Sequence, residues 1–145
     1  MTEEDIRALE MRYSESKIQH ICVCWFRRTH PEIGSLLYAV PNGGARTPTA
    51  AAMMKYEGAV SGVADLCLAV EKSLYIEMKV PKRPGSSAGR QSANQKEWGA
   101  LAERHGNRYV VCHGIAEFVR AVCTHLNEDA EAAMKEVCDK YPTYR

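Results

Sequence analysis

The chain has 145 residues, 19 basic and 18 acidic side chains, a net charge of +1 and 46% hydrophobic residues. This composition suits one folded unit with a real core and excludes a disordered chain, which would be poor in apolar residues and strongly charged. Near-neutrality argues at first sight against a nucleic-acid partner, but it conceals segregation: residues 79–96 carry five basic side chains and no acid.

The chain opens on Met1-Thr2-Glu3-Glu4-Asp5, acidic where a signal peptide is basic. No run approaches the roughly 18 apolar residues of a membrane span. Both features predict a cytoplasmic protein without membrane association. Residues 3–12 read as a weak helix. Ser14 is a good N-cap for a helix over 15–29, whose apolar positions Ile18, Ile21, Cys22, Trp25 and Phe26 follow the helical period. Residues 35–40 read as a strand, closed by the turn residues Pro41-Asn42-Gly43-Gly44. An Ala- and Met-rich helix is expected over 48–57. Strands over 64–70 and 74–80 follow, joined by Glu71-Lys72-Ser73, then a Pro-, Gly- and Ser-rich loop from Pro81 to Gln91. Ser92 caps a helix over 93–105 with Trp98, Leu101 and Ala102 inward. A strand over 108–112, a helix from Ile115 and a last acidic helix over 127–140 complete the chain. Alternation of this kind indicates an α/β fold around a small mixed sheet. The six cysteines form no CxxC pair, which predicts reduced, mostly buried thiols.

The two central strands carry the chemistry. Their even positions, Leu66, Leu68, Val70, Leu74, Ile76, Met78 and Val80, are all apolar and mark a core face. The odd positions hold Asp65, Glu77 and Lys79, all toward one end. A turn centred on Lys72 pairs Asp65 with Lys79 and sets Glu77 diagonal to Asp65. Two carboxylates beside one ammonium suit Mg²⁺ or Mn²⁺, which prefer oxygen ligands and leave positions open for phosphate and water. A solvated strand face with an ion pair accounts for the same pattern.

These residues resemble the PD-(D/E)XK nuclease motif, and more closely its virus-type replication-repair nuclease (VRR-NUC) branch. The resemblance rests on Ser14-Glu15 with Gln19, Asn42-Gly43-Gly44, Gly62-Val63-Ala64-Asp65-Leu66, Glu77-Met78-Lys79, and Ser92 to Gln95, in that order over residues 14–126. It departs from the family at Ala64, where proline is usual. It implies a restriction-endonuclease-like αβββαβ core and metal-dependent hydrolysis of DNA. Asp65, Glu77 and the main-chain carbonyl of Met78 are then metal ligands. Lys79 is the catalytic lysine, Gln95 assists it, and Glu15 adds a carboxylate from the first helix. Stand-alone relatives resemble Holliday-junction resolvases, which implies a homodimer acting on branched DNA.

Other readings stand beside these. Glu15 continues the stripe of Ile18, Cys22 and Trp25 and so points inward, though an acid in a first turn is also favoured by the helix dipole. Ser92-x-x-Gln95 is a capping box in its own right. Asn42 and Gly43, with Arg46 nearby, form a turn that permits close approach of a ligand. Lys82, Arg83, Arg90 and Lys96 surround an acid-free loop suited to phosphate-backbone contacts, so DNA is expected along it. His113 follows a strand and can approach the site, but reads first as structural. Residues 127–145 lie beyond the family-like core, as a dimerisation element or a cap. The expected function is a metal-dependent DNA endonuclease; the alternative is a non-catalytic nucleic-acid-binding module of the same fold.

Overall fold

The computed structural model describes residues 1–41, 47–86 and 89–145. The elements run α1 (Glu3–Glu10), α2 (Glu15–Thr29), β1 (Leu37–Ala39), α3 (Pro48–Tyr56), β2 (Leu66–Leu68), β3 (Leu74–Lys79), α4 (Ala93–Arg104), β4 (Arg108–His113), α5 (Ile115–Leu126) and α6 (Ala130–Lys140). Short 3₁₀ turns at Gly34–Leu36 and Tyr141–Tyr144 add to these.

The four strands form one mixed sheet in the order β1-β2-β3-β4. The first two pairings are antiparallel and β3–β4 is parallel. Parallel neighbours need a crossover connection, and α4 supplies it. One face of the sheet is covered by α2 and α5. Leu66, Leu68, Leu74, Ile76 and Met78 are buried there with Ile18, Ile21, Trp25 and Phe26 of α2 and Phe118, Val119 and Val122 of α5. The even-numbered strand positions are thus the core face, as the alternation predicts. The opposite face takes α4, where Tyr75 meets the edge of Trp98 and Trp98 leans on Tyr109.

Two expectations need correction here. Leu66 pairs with Ile76 and Leu68 with Leu74, so the hairpin centres on Glu71 and Asp65 lies opposite Glu77, not Lys79. Strand β2 ends at Leu68, and the Ala69 N–H continues the pairing with β1 by binding the Leu36 carbonyl. The shift is of two residues, so every side chain keeps its face. Leu101 is 48% exposed rather than inward. Helix α4 approaches the sheet at Gly99, where an added Cβ would stand 2.8 Å from the Tyr109 ring. Leu101, two residues on, is rotated about 200° from that contact and faces out.

The last helix begins at Ala130 and not at 127, because Asn127 takes a left-handed conformation (φ 57°) that ends α5, and Asp129 caps α6. Met134, Val137, Tyr141 and Tyr144 sink into the same core as the sheet. Glu10, at 2% exposure, accepts the Ile115 N–H at the start of α5 (3.0 Å) and faces the Tyr141 hydroxyl at 3.5 Å. Cys22, Cys67, Cys112 and Cys123 are buried, and all six thiols are free. Among the described residues no helix is long and apolar enough to cross a membrane.

Candidate active site

Asp65 stands immediately before β2, and Glu77 and Lys79 stand on β3, all on the face away from α2 and α5. Gly62 sets the approach of the chain to Asp65. Its φ of +90° is open to glycine, and an added Cβ would lie 2.6 Å from the Asn94 carbonyl on α4. Ala64 is fully buried, and the Asp65 carboxylate is held by the Met78 N–H at 2.8 Å. The alanine in place of proline therefore leaves Asp65 anchored on β3.

Glu77 is the centre of the cluster. It is 1% exposed. Its Oε1 accepts the Gln95 amide at 2.6 Å and lies 3.2 Å from the Lys79 ammonium. Its Oε2 is buried and, among the described residues, has no hydrogen-bond partner. Burial first, and then the neighbouring Asp65 charge, push the Glu77 carboxyl up to about 7 despite Lys79. A buried acceptor without a donor, beside a second carboxylate, is a site that wants a proton or a cation. A divalent cation with oxygen ligands matches this donor set. Among the described residues no group of three or more His, Cys, Asp or Glu side chains could enclose a metal. The site thus offers two carboxylates and backbone, an open arrangement.

Gln95 settles two readings at once. Its Oε1 accepts the Ser92 N–H at 2.8 Å, which completes the capping box at the start of α4. The amide nitrogen is thereby turned toward Glu77 and donates to it. One side chain both starts the helix and fixes the acid.

Glu15 departs from its expected placement. Helix α2 does begin at Glu15 with Ser14 as cap, but Glu15 is exposed rather than inward. At the first turn its side chain leaves the stripe that Ile18 begins. It still feels both the Lys79 and the Asp65 charge, and partial desolvation raises its carboxyl above the usual range. It stands at the mouth of the cluster. Lys82, Arg83, Arg90 and Lys96 are exposed. Arg83 also donates to the Tyr13 carbonyl at 3.0 Å, which ties the loop to the α1–α2 junction. Asn42, Gly43 and Arg46 lie outside the described residues.

The residue that the sequence reading undervalued is His113. It is the register neighbour of Lys79 across the β3–β4 ladder. Its place was visible as a strand end; what it touches depends on a loop whose path has no signature in the sequence.

A family model for the VRR-NUC domain matches residues 2–116. The chain belongs to the VRR-NUC family. It is thereby a member of a nuclease family. A solved structure described as a VRR_NUC domain protein superposes on this VRR-NUC chain with a TM-score of 0.65 at 21% identity, covering 79% of this chain and 89% of that one. That likeness supports the restriction-endonuclease-like fold. No curated protein matches the chain.

Proposed function

We propose that this VRR-NUC chain is a metal-dependent DNA endonuclease whose active centre is Asp65, Glu77 and Lys79. The observation that carries the reading is the buried Oε2 of Glu77, without a hydrogen-bond partner among the described residues, beside Asp65 and Lys79. Mg²⁺ or Mn²⁺, held by Asp65, Glu77 and the main-chain carbonyl of Met78, would supply an activated water and charge neutralisation at the scissile phosphate. In a strand the N–H and C=O of one residue project toward the same neighbour; the Met78 N–H binds Asp65, so its carbonyl belongs on that side too.

The remaining roles fall to the chain's own side chains. Lys79 orients the attacking water and offsets negative charge that grows on the phosphate in the transition state. Gln95 keeps Glu77 in place. Glu15 adds a carboxylate at the mouth. Lys82, Arg83 and Arg90, with Asn42, Gly43 and Arg46, bind the DNA backbone without reading bases. The resemblance of stand-alone relatives to Holliday-junction resolvases extends the proposal to branched DNA cut by a homodimer. An open surface lined by Val60, Trp98 and Leu101, with Val60 55% and Leu101 48% exposed, supports a second copy.

The test is cleavage of labelled linear, flap and four-way-junction DNA with Mn²⁺. Metal-dependent cutting, strongest on the branched substrates, is expected. Binding without cutting on any of them overturns the enzyme reading in favour of the non-catalytic module.

A further inference from the structure

After β3, the chain is fastened at Arg83 and again at Gly89. On the outgoing arm, Arg83 donates to the Tyr13 carbonyl at 3.0 Å. On the returning arm, the Gly89 carbonyl lies 2.9 Å from His113 Nε2. The His113 ring is itself seated by Glu117 from the first turn of α5. One carboxylate oxygen, Oε2, accepts the His113 backbone N–H at 2.6 Å and lies 3.1 Å from Nδ1.

Gly89 meets more than His113. A Cβ built on it would stand 3.3 Å from Cδ and 3.4 Å from Cβ of Lys79. Its backbone therefore lies directly along the aliphatic stem of the proposed catalytic lysine. A lysine left to itself spreads over many rotamers, and ordering it costs up to about 2 kcal/mol of side-chain entropy. Here the side chain is only 12% exposed and its ammonium is aimed at Glu77 Oε1. The core gives β3 its direction, but Lys79 points to the other face, where the backbone at Gly89 backs it.

We propose that His113 is a positioning residue: seated by Glu117, it fastens the Gly89 carbonyl and so holds the Gly89 backbone against Lys79, which keeps the ammonium on Glu77. The role of Lys79 in cleavage rests on the function proposed above; its packing does not. A Cβ at residue 89 would crowd the lysine stem at 3.3 Å, so the stem would have to give by a few tenths of an ångström to admit one.

The test compares wild type, His113→Ala and His113→Gln in two measurements. The first is acetylation of Lys79 at limiting reagent, read by peptide mass spectrometry with Lys55 and Lys140 as internal references. In His113→Ala, Lys79 labelling rises several-fold while the references stay constant. His113→Gln, whose amide can still donate to a carbonyl, returns toward wild type. The second measurement is steady-state DNA cleavage with Mn²⁺. There kcat falls by up to about 10²-fold in His113→Ala, the scale of a small misplacement caused away from the chemistry, with KM nearly unchanged. A purely structural role would lower the melting temperature without this split. Should His113→Ala lose its cooperative melt, His113→Phe keeps the volume, lacks the donor and gives the same reading. Lys79 labelling that does not respond to loss of the His113 donor overturns the proposal, as does an unchanged kcat. Wild-type protein that cuts no DNA overturns the nuclease reading alone, and the labelling still decides the role of His113.

Discussion

Glu77 concentrates the chemistry of this chain in one side chain. A carboxylate at 1% exposure beside a second carboxylate is costly unless something positive joins it. Lys79 and Gln95 satisfy one oxygen, and the other has no hydrogen-bond partner among the described residues, which is where the proposed cation would sit. Replacing Asp65 by Asn removes a charge from the pair while keeping an acceptor for the Met78 N–H. Calorimetric titration with Mn²⁺ is expected to show binding to wild type and none to Asp65→Asn; equal binding to both contradicts the assignment of the ligands. The three charged residues were legible in the sequence because strand parity puts Asp65, Glu77 and Lys79 on one face in any even register. Glu15 was not legible in the same way. Its spacing to Ile18 fits the stripe, but a first-turn side chain has no preceding turn to hold it inward, so it opens to solvent.

At the level of elements, α4 carries the site as much as the strands do. It starts at the Ser92–Gln95 box, touches Gly62 through Asn94 and rests on Tyr109 through Gly99. Gly99→Val is expected to lift the helix from the sheet, because the new Cβ would meet the tyrosine ring at 2.8 Å. Overpacking of this kind costs about 1–3 kcal/mol. Denaturant unfolding should show that loss, and the displaced Gln95 should lower activity further than stability alone explains; a variant as stable and active as wild type contradicts this contact. Every main element was legible, since caps and periodicity mark them in the sequence. What escaped was how they meet. The hairpin register is a pairing between strands, and parity alone admits either even register. The outward Leu101 turned on a glycine contact with a tyrosine from a later strand. Neither leaves a local trace.

Across the whole molecule, the two ends of the chain close on each other. Glu10 at the end of α1 caps α5 and faces Tyr141, and Arg120 of α5 binds Glu3 at 2.8 Å. Residues 127–145 are thus part of the core in this chain, whatever else they do. Met134, Val137, Tyr141 and Tyr144 are each worth roughly 1.5–3 kcal/mol of burial, comparable together to the 5–15 kcal/mol that holds a typical domain. A chain ending at Leu126 should lack a cooperative thermal transition by calorimetry; a sharp transition near that of wild type contradicts this reading. Burial raises the Glu10 carboxyl to about 7. A carboxyl raised in the folded state keeps its proton where the unfolded chain has lost it. Its contribution is therefore fully present below the ordinary glutamate value near 4.5 and fades as pH rises toward 7, by up to roughly 3 kcal/mol. Glu10→Gln should flatten the stability profile over that window, and an unaltered profile contradicts the assignment. The five basic charges of residues 79–96 start at Lys79, so an almost neutral chain can still present a positive face where DNA is proposed to lie.

The most direct measurement is single-turnover cleavage of a branched DNA with Mn²⁺ by wild type and Lys79→Ala at saturating protein. If the end of the β2–β3 hairpin is the active centre, the variant binds DNA normally and cuts about 10²–10³-fold more slowly, the usual loss when a transition-state charge partner is removed. Undiminished cutting by Lys79→Ala contradicts the account.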